Sequence, residues 1–298
     1  MVSVIIPTYN RVNTIVRSIN SVLNQTYKDI EVIVVDDCSS DNTISVLEEI
    51  QVKDNRLKIV KHKCNEGACV ARNTGIAHAT GSYIAFHDSD DEWVHNKLEI
   101  QLKQLEINHA DVCVSAVNRS DFQYGNGIYP VLKDGLISKQ ELHSRFMVCT
   151  PTVIGKKEVF ELYKFDPEVK RMQDFDWAVR ASESFVFCAV SAPLVNVYLQ
   201  NDSITSYDYR KVLNNWHFFL KKYERTMEKD SYLYKFIYTE LADTMTLLNQ
   251  NSSDIYRKIY KRTKDNKSLV KYIMSVLHIL KPYYLLKKSL AKKYDYEK

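Results

Sequence analysis

The chain has 298 residues, 45% of them hydrophobic, enough to bury a core in one domain with an appendage. It contains no apolar run of about eighteen residues, which excludes a membrane-spanning helix, and its six cysteines lack paired spacing and follow no signal-peptide pattern, which points to reduced thiols in a cytosolic protein. The formal net charge of +4 is unevenly spread: residues 257–298 hold thirteen Lys/Arg against three Asp/Glu, a net of +10, leaving −6 for the rest.

Residues 2–7 (VSVIIP) read as a short apolar strand stopped by proline, and Ile15, Ile19, Val22 and Leu23 then recur at helical spacing, predicting a helix over 12–24. A second strand, 32–35, ends in Asp36-Asp37, with Ser39, Ser40 and Asp41 as capping candidates for the next helix. Ile44, Leu47 and Ile50 mark that helix's inner face; a strand over 57–60 and a helix over 68–79 follow. The fourth strand, 83–86, runs into His87-Asp88-Ser89-Asp90-Asp91, and Leu98, Leu102 and Leu105 line the helix beyond it. Strand–helix alternation with short turns implies a mostly parallel sheet covered on both faces. Ligands gather at the carboxyl ends of such strands. Pro7-Thr8-Tyr9, Asp36-Asp37 and Asp88-Ser89-Asp90 are all expected there.

Three carboxylates packed into one turn repel one another unless a cation sits among them. Hard divalent ions take carboxylate oxygens and keep other positions for water or substrate phosphate. A strand ending in Asp-x-Asp is therefore a mount for a metal–diphosphate, although an isolated Asp-x-Asp also suits an acidic helix N-terminus.

The blocks 2–10 (VSVIIPTYN), 21–27 (SVLNQTY), 34–43 (VVDDCSSDNT), 65–81 (NEGACVARNTGIAHATG) and 83–98 resemble, in order and spacing, those of the family 2 glycosyltransferases. The resemblance covers residues 2–117 and implies the GT-A fold, a UDP-sugar donor, Mn²⁺ or Mg²⁺, and inversion of the transferred sugar. It implies nucleotide-sugar contacts at Pro7, Thr8, Tyr9, Asp37, Arg72, Asp88 and Ser89. Of these, Pro7, Tyr9 and Asp37 frame the base: an aromatic ring offers a stacking surface and a carboxylate can accept the uracil imide N–H. Asp36 reads as a turn-capping carboxylate. The Arg72 guanidinium would hold phosphate oxygens. Asp90 is the expected metal ligand, with Asp88 beside it through ribose or water.

A further strand is expected over 111–117, then a Gly-rich aromatic segment over 122–129, and Thr150-Pro151-Thr152 resembles an acceptor-side loop. Residues 171–177 (RMQDFDW) resemble the family's Glu-Asp motif at a helix start, with Gln173 in place of the glutamate. Asp174 inherits the general-base role, since a carboxylate can take the proton of a sugar hydroxyl as its bond to carbon forms; a helix N-cap is its other reading. Asp176 is expected to serve as a supporting or capping residue. Residues 196–206 (NVYLQNDSITS) resemble the segment that closes over the diphosphate, with Leu199 where arginine is usual and Asn201 or Asp202 near the place of a histidine.

The expected organisation is a catalytic domain over 1–209, split into a nucleotide-sugar half (1–117) and an acceptor half (118–209), with a helical region over 210–298. In the tail, lysines alternate with aliphatic and aromatic residues, among them Lys287, Lys288, Lys292 and Lys293. That pattern suits an anionic membrane surface rather than nucleic acid, a helical lid packed on the core with a solvated basic face being the other reading, and Pro282 is expected to split the tail into two short helices. The expected protein is cytoplasmic, peripheral on the inner face of the cell membrane. It would pass a hexose, glucose or galactose before N-acetylhexosamine, to a saccharide on a polyprenyl-diphosphate lipid in bacterial O-antigen or capsule synthesis, forming a β-linkage. A nicotinamide oxidoreductase would need a Gly-x-Gly-x-x-Gly turn after the first strand, where this chain has Pro7-Thr8-Tyr9-Asn10-Arg11. A catalytically silent nucleotide-sugar-binding module is the remaining alternative; intact Asp88, Asp90 and Asp174 argue against it.

Overall fold

The computed structural model describes residues 1–121, 125–198 and 208–286. The expected contributions of Leu199, Asn201 and Asp202, and of Lys287, Lys288, Lys292 and Lys293, fall outside the described residues. The chain divides into two compact units. Described residues 1–121, 126–142 and 146–198 form the first, and 125, 143–145 and 208–286 the second.

The first unit begins with strand–helix alternation. β1 (Val2–Thr8), α1 (Ile15–Leu23), β2 (Ile30–Asp36), α2 (Thr43–Lys53), β3 (Leu57–Lys61), α3 (Ala68–His78) and β4 (Tyr83–Phe86) follow one another closely. β1 and β2 are buried along their whole length, as central strands of a parallel sheet must be. Alternate side chains go to opposite faces: Val4, Ile6, Val32 and Val34 join Ile15, Ile19 and Val22 of α1, whereas Ile5, Ile33 and Val35 join Ala71 and Ile76 of α3. At Gly75 a Cβ would fall 2.4 Å from the Ile5 side chain, so only glycine allows α3 so close to β1.

After β4 come β5 (Glu92–Trp93), α4 (Lys97–Ile107), β6 (Val112–Asp121), β7 (Gly125–Tyr129), β8 (Gly135–Ile137), α5 (Lys139–Ser144), a 3₁₀ turn (Thr150–Thr152), β9 (Ile154–Lys156), α6 (Lys157–Leu162), α7 (Gln173–Ala181) and β10 (Phe187–Tyr198). Among the described residues the sheet order is β3-β2-β1-β4-β9-β6-β10-β5, with β7 on β6 and β8 on β10. β3, β2, β1 and β4 are parallel, β9 runs antiparallel between β4 and β6, and β10 returns parallel to β6. This is the expected mixed, mostly parallel α/β sheet.

Proline does not stop β1 as expected. Pro7 sits inside the strand opposite Val35, and pairing with β4 ends at Ile5, so its missing N–H costs no ladder bond on that side. The Thr150-Pro151-Thr152 turn is buried. Trp93 Nε1 donates to the Pro151 carbonyl at 3.0 Å and Gln101 Nε2 to that of Thr152 at 2.8 Å, so the turn is held under the sheet edge.

The second unit consists of α8 (Tyr209–Lys222), α9 (Glu224–Lys229), α10 (Ser231–Leu247), α11 (Ser253–Thr263), α12 (Asn266–Val276) and helical residues 280–286. Asp208, Asp230 and Asp265 cap α8, α10 and α12 with their carboxylates. Among the described residues Pro282 does not split the tail: α12 ends at Val276, and Pro282 lies in the first turn of the next helix, where its missing N–H is tolerated. No helix among the described residues is long and apolar enough to cross a membrane.

Candidate active site

Strand register brings the three polar clusters together. Thr8 lies opposite Asp36, and Ile5 opposite Phe86, so the chain leaving β4 emerges beside Pro7. The switch in strand order falls here, with β1 between β2 and β4, which is where open α/β sheets bind ligands.

The β1 and β2 ends interlock. Asp37 N–H donates to the Thr8 carbonyl at 2.8 Å, Asn10 N–H to Ser39 Oγ at 2.9 Å, and Ser40 N–H to Asn10 Oδ1 at 2.8 Å. Asp37 is almost fully buried: its carboxylate accepts from Glu66 N–H (2.9 Å) and Gly67 N–H (2.7 Å), and Oδ1 lies 2.8 Å from His62 Nδ1. A carboxylate offers about four lone-pair sites, so these contacts fix Asp37 and leave about one for a ligand. Gly67 has φ +90° with open space where a Cβ would be, a conformation that favours glycine. Tyr9 is 44% exposed, a ring face open to stacking. Pro7 and Ser89 are buried. Thr8 Oγ1 and Asp36 Oδ1 are buried polar atoms with no hydrogen-bond partner among the described residues, while Asp36 Oδ2 caps the turn through Ser39 N–H. Native proteins rarely leave such groups unmet, and both belong to residues opposite each other at the sheet's open end.

The acidic loop is held from below by α1. Ser18 Oγ donates to the Asp88 carbonyl at 3.0 Å, Arg17 to the Asp90 carbonyl at 2.5 Å, and Ser21 Oγ accepts from Trp93 N–H at 3.0 Å. Beyond the helix, Gln25 donates to the Val94 carbonyl at 2.9 Å and accepts from Leu98 N–H at 3.1 Å. Sequence reading did not single out these four residues; Ser18 and Ser21 lie three apart on α1, so they share one face, and nothing local marks that face as a grip on a loop 70 residues away.

Asp88 and Asp90 remain partly exposed, and Arg11 Nε lies 3.7 Å from Asp90 Oδ2. Asp91 is buried and accepts from Tyr198 N–H at 3.2 Å; burial, then the Asp88 and Asp90 charges, push its carboxyl well above the usual range. Negative charge is thus crowded here. No cluster of three or more His, Cys, Asp or Glu side chains able to hold a metal exists among the described residues. Two carboxylates do suit a Mg²⁺- or Mn²⁺-type ion that keeps positions for substrate phosphate.

Arg72 joins this loop to α7. Only 7% exposed, it donates through one terminal nitrogen to Asp88 Oδ1 at 3.1 Å and through the other to Gln173 Oε1 at 2.8 Å. Its guanidinium lies 5.4 Å from the centre of the Phe165 ring. Phe165, Phe86, Phe160 and Trp177 stack or meet edge to face beneath it. Gln173, which stands where the family motif has glutamate, thus anchors the bridge. The N-cap of α7 is Met172 in the left-handed region, so Asp174 is not the cap. It lies in the first turn, its Oδ1 accepting from Phe175 N–H at 2.9 Å. Burial pushes the Asp174 carboxyl up to about 6, against the opposing pull of that N–H and of Arg72. A base with a pKa near the working pH is ionised yet still strong enough to take a proton. Asp176 instead pairs with Arg180 at 2.8 Å, one turn along α7.

Lys97, under the loop, is fully buried with its ammonium 3.9 Å from the centre of the Trp93 ring. Burial pushes it down to about 7, from about 10.4 in an unfolded chain. That displacement corresponds to about 5 kcal/mol, offset by about 2 kcal/mol from a desolvated cation–π contact. The unfolded state binds the extra proton between about pH 7 and 10.4, so the wild type gains stability as pH rises through that window. Lys97→Met should therefore be more stable at pH 6 by about 3 kcal/mol, the difference shrinking toward pH 10. Urea unfolding at both pH values measures it, and a variant less stable at pH 6 would disprove the assignment.

A mostly parallel sheet whose switch point gathers an open tyrosine, a crowded acidic loop and a raised carboxyl one arginine away has the architecture of the GT-A fold. The chain matches the family model described as "Glycosyl transferase family 2" over residues 3–163, and it belongs to that family. It is 31% identical over 231 residues to the putative teichuronic acid biosynthesis glycosyltransferase TuaG of Bacillus subtilis, covering 76% of this chain and 89% of TuaG. It is 43% identical over 138 residues to the Escherichia coli UDP-Glc:alpha-D-GlcNAc-diphosphoundecaprenol beta-1,3-glucosyltransferase WfgD, covering 46% of this chain and 49% of WfgD. The chain spans less than a third of the length of the Rickettsia glycosyltransferases it matches at 38% or 39% identity. Its fold superposes on Staphylococcus aureus TarS residues 1–349 in complex with UDP-GlcNAc, with a TM-score of 0.70 and 18% identity over 95% of this chain and 91% of that one.

Proposed function

We propose that this glycosyltransferase moves a hexose, with glucose favoured, from UDP to a hydroxyl of a polyprenyl-diphosphate-linked saccharide, inverting the anomeric centre to form a β-linkage in bacterial surface-polysaccharide synthesis. The observation that carries this reading is the Asp88–Arg72–Gln173 bridge, which sets a donor-side carboxylate and the raised Asp174 carboxyl on one connected frame. The similarity to WfgD, a glucosyltransferase acting on a diphosphoundecaprenol-linked acceptor, favours glucose and a lipid-linked acceptor.

Tyr9 stacks on the base, Asp37 takes the imide N–H with its remaining lone pair, and Thr8 and Asp36 supply the polar floor. Asp90, with Asp88, would hold Mn²⁺ or Mg²⁺. When bound, the ion neutralises charge on the departing diphosphate. Asp174 takes the acceptor hydroxyl proton as that oxygen attacks the anomeric carbon from the face opposite UDP. The carbon–oxygen bond to UDP breaks in the same displacement.

A panel of UDP-glucose, UDP-galactose and UDP-N-acetylhexosamines, assayed with Mn²⁺ or EDTA on a lipid-linked N-acetylhexosamine, tests the proposal. Transfer from UDP-glucose that EDTA abolishes is expected. UDP binding without transfer from any donor would favour a silent binding module.

A further inference from the structure

The end of the described chain carries apolar side chains into solvent at helical spacing. On α12 and at its C-cap, Val270, Ile273 and Leu277 recur at i, i+3 and i+7, so they share one face, and they are 54, 48 and 59% exposed. The helix closes through His278 at φ 58°, with Ile279 N–H donating to the Met274 carbonyl at 2.9 Å, a left-handed stop that turns the chain sharply. In helical residues 280–286, Tyr283, Leu285 and Leu286 are again 45, 53 and 60% exposed. Single exposed apolar residues are ordinary, but this density marks a surface that something covers.

The opposite side of these helices is anchored. Lys271 Nζ meets both Asp243 carboxylate oxygens at 2.9 and 2.7 Å, the Tyr284 hydroxyl donates to Asp243 at 2.7 Å, and the Tyr256 hydroxyl joins them. Leu280 is buried. Asp243 of α10 thus ties α11, α12 and the last helical residues together, and the apolar side chains project from a fixed scaffold rather than a loose tail.

Charge decides what covers them. Residues 257–298 carry a net of +10, and on α11 Arg257, Lys258 and Lys261 are exposed. A second copy would set two such segments against each other, whereas an anionic lipid surface attracts them. We infer that the exposed face of α12 and residues 280–286 docks on an anionic membrane surface, its apolar side chains entering the interface and the surrounding cations supplying long-range attraction. This deepens the proposed acceptor reading, since a polyprenyl-linked acceptor lies in such a surface, but its test does not depend on transfer.

The experiment is sedimentation of the full chain with vesicles of phosphatidylcholine, alone or with phosphatidylglycerol. The wild type should sediment with anionic vesicles at 0.1 M salt and leave them at 1 M, as the screening length shrinks from about 10 Å to about 3 Å, and it should ignore neutral vesicles. The triple variant Val270→Gln, Ile273→Gln, Leu277→Gln replaces exposed side chains only and should lose about tenfold or more in vesicle partition, with circular dichroism and transfer to a water-soluble acceptor unchanged. A triple variant that binds anionic vesicles like the wild type overturns the inference. So does a wild-type dimer that the variant converts to monomer, which would give the face to a second copy. Vesicle binding that holds while no UDP-sugar is transferred would sink the proposed function and leave this inference standing.

Discussion

Asp174→Asn is expected to lower kcat by about 10²–10⁴ while UDP-sugar affinity stays near the wild-type value. Asparagine keeps the shape and can still accept from Phe175 N–H, but it cannot take the acceptor proton. The pH profile gives a second readout. With its carboxyl at about 6, wild-type turnover should fall as pH drops through that value, and the residual activity of the variant should lose that acid limb. Stability should move the other way. A carboxyl at about 3.9 in the unfolded chain and about 6 when folded makes the native state bind the proton more tightly between those values. Holding Asp174 ionised therefore costs stability that accumulates from about pH 4 to 6 and stays constant above. The variant should unfold at higher urea at pH 7, by up to about 3 kcal/mol, and match the wild type near pH 4. Lost UDP affinity with unchanged turnover would instead place Asp174 at the donor.

Asp90→Ala is expected to abolish transfer and to weaken UDP binding only when Mn²⁺ is present. The physical ground is the crowding of Asp88, Asp90 and the buried Asp91, whose carboxyl is pushed upward first by burial and then by the Asp88 and Asp90 charges; a divalent ion would relieve that repulsion while gripping the diphosphate. Titration calorimetry of UDP with and without Mn²⁺ separates the metal's contribution from the protein's. A variant that transfers like the wild type, or a native enzyme indifferent to EDTA, would end the metal reading.

Much of this arrangement is legible in sequence because its signals are local. Val2 to Ile6, Val32 to Val35 and Tyr83 to Phe86 are apolar runs of strand length, each followed within a few residues by polar groups, and parallel pairing carries those groups to one edge. Asp174 is legible only through its motif. What sequence withheld depends on distant partners. Gln173 meets Arg72 across 101 positions, and nothing near either residue announces it. β9 is three residues long, too short for any period, yet it inserts antiparallel between β4 and β6. The order of the outer strands therefore could not be read. The contacts that fix Asp37, from Glu66, Gly67 and His62, follow from a loop conformation that depends on the positive φ of Gly67 and so could not be read locally. The break before residue 280 was misplaced because proline is a conspicuous breaker, whereas His278 in the left-handed region leaves no mark in composition.

The way α1 grips the acidic loop has a consequence for redesign. Ser18 and Arg17 hold it through the main-chain carbonyls of Asp88 and Asp90, not through their carboxylates. Every amino acid supplies that carbonyl, so these two fastenings are indifferent to which side chains the loop displays, whereas the Asp88 carboxylate is also tied to the buried Arg72. Position 90 is therefore the one to vary: asparagine, glutamate or histidine there leaves both carbonyl fastenings and the Arg72 bridge in place. A library varied at position 90 alone should stay folded, and if Asp90 holds a divalent ion as proposed, its cation preference should drift.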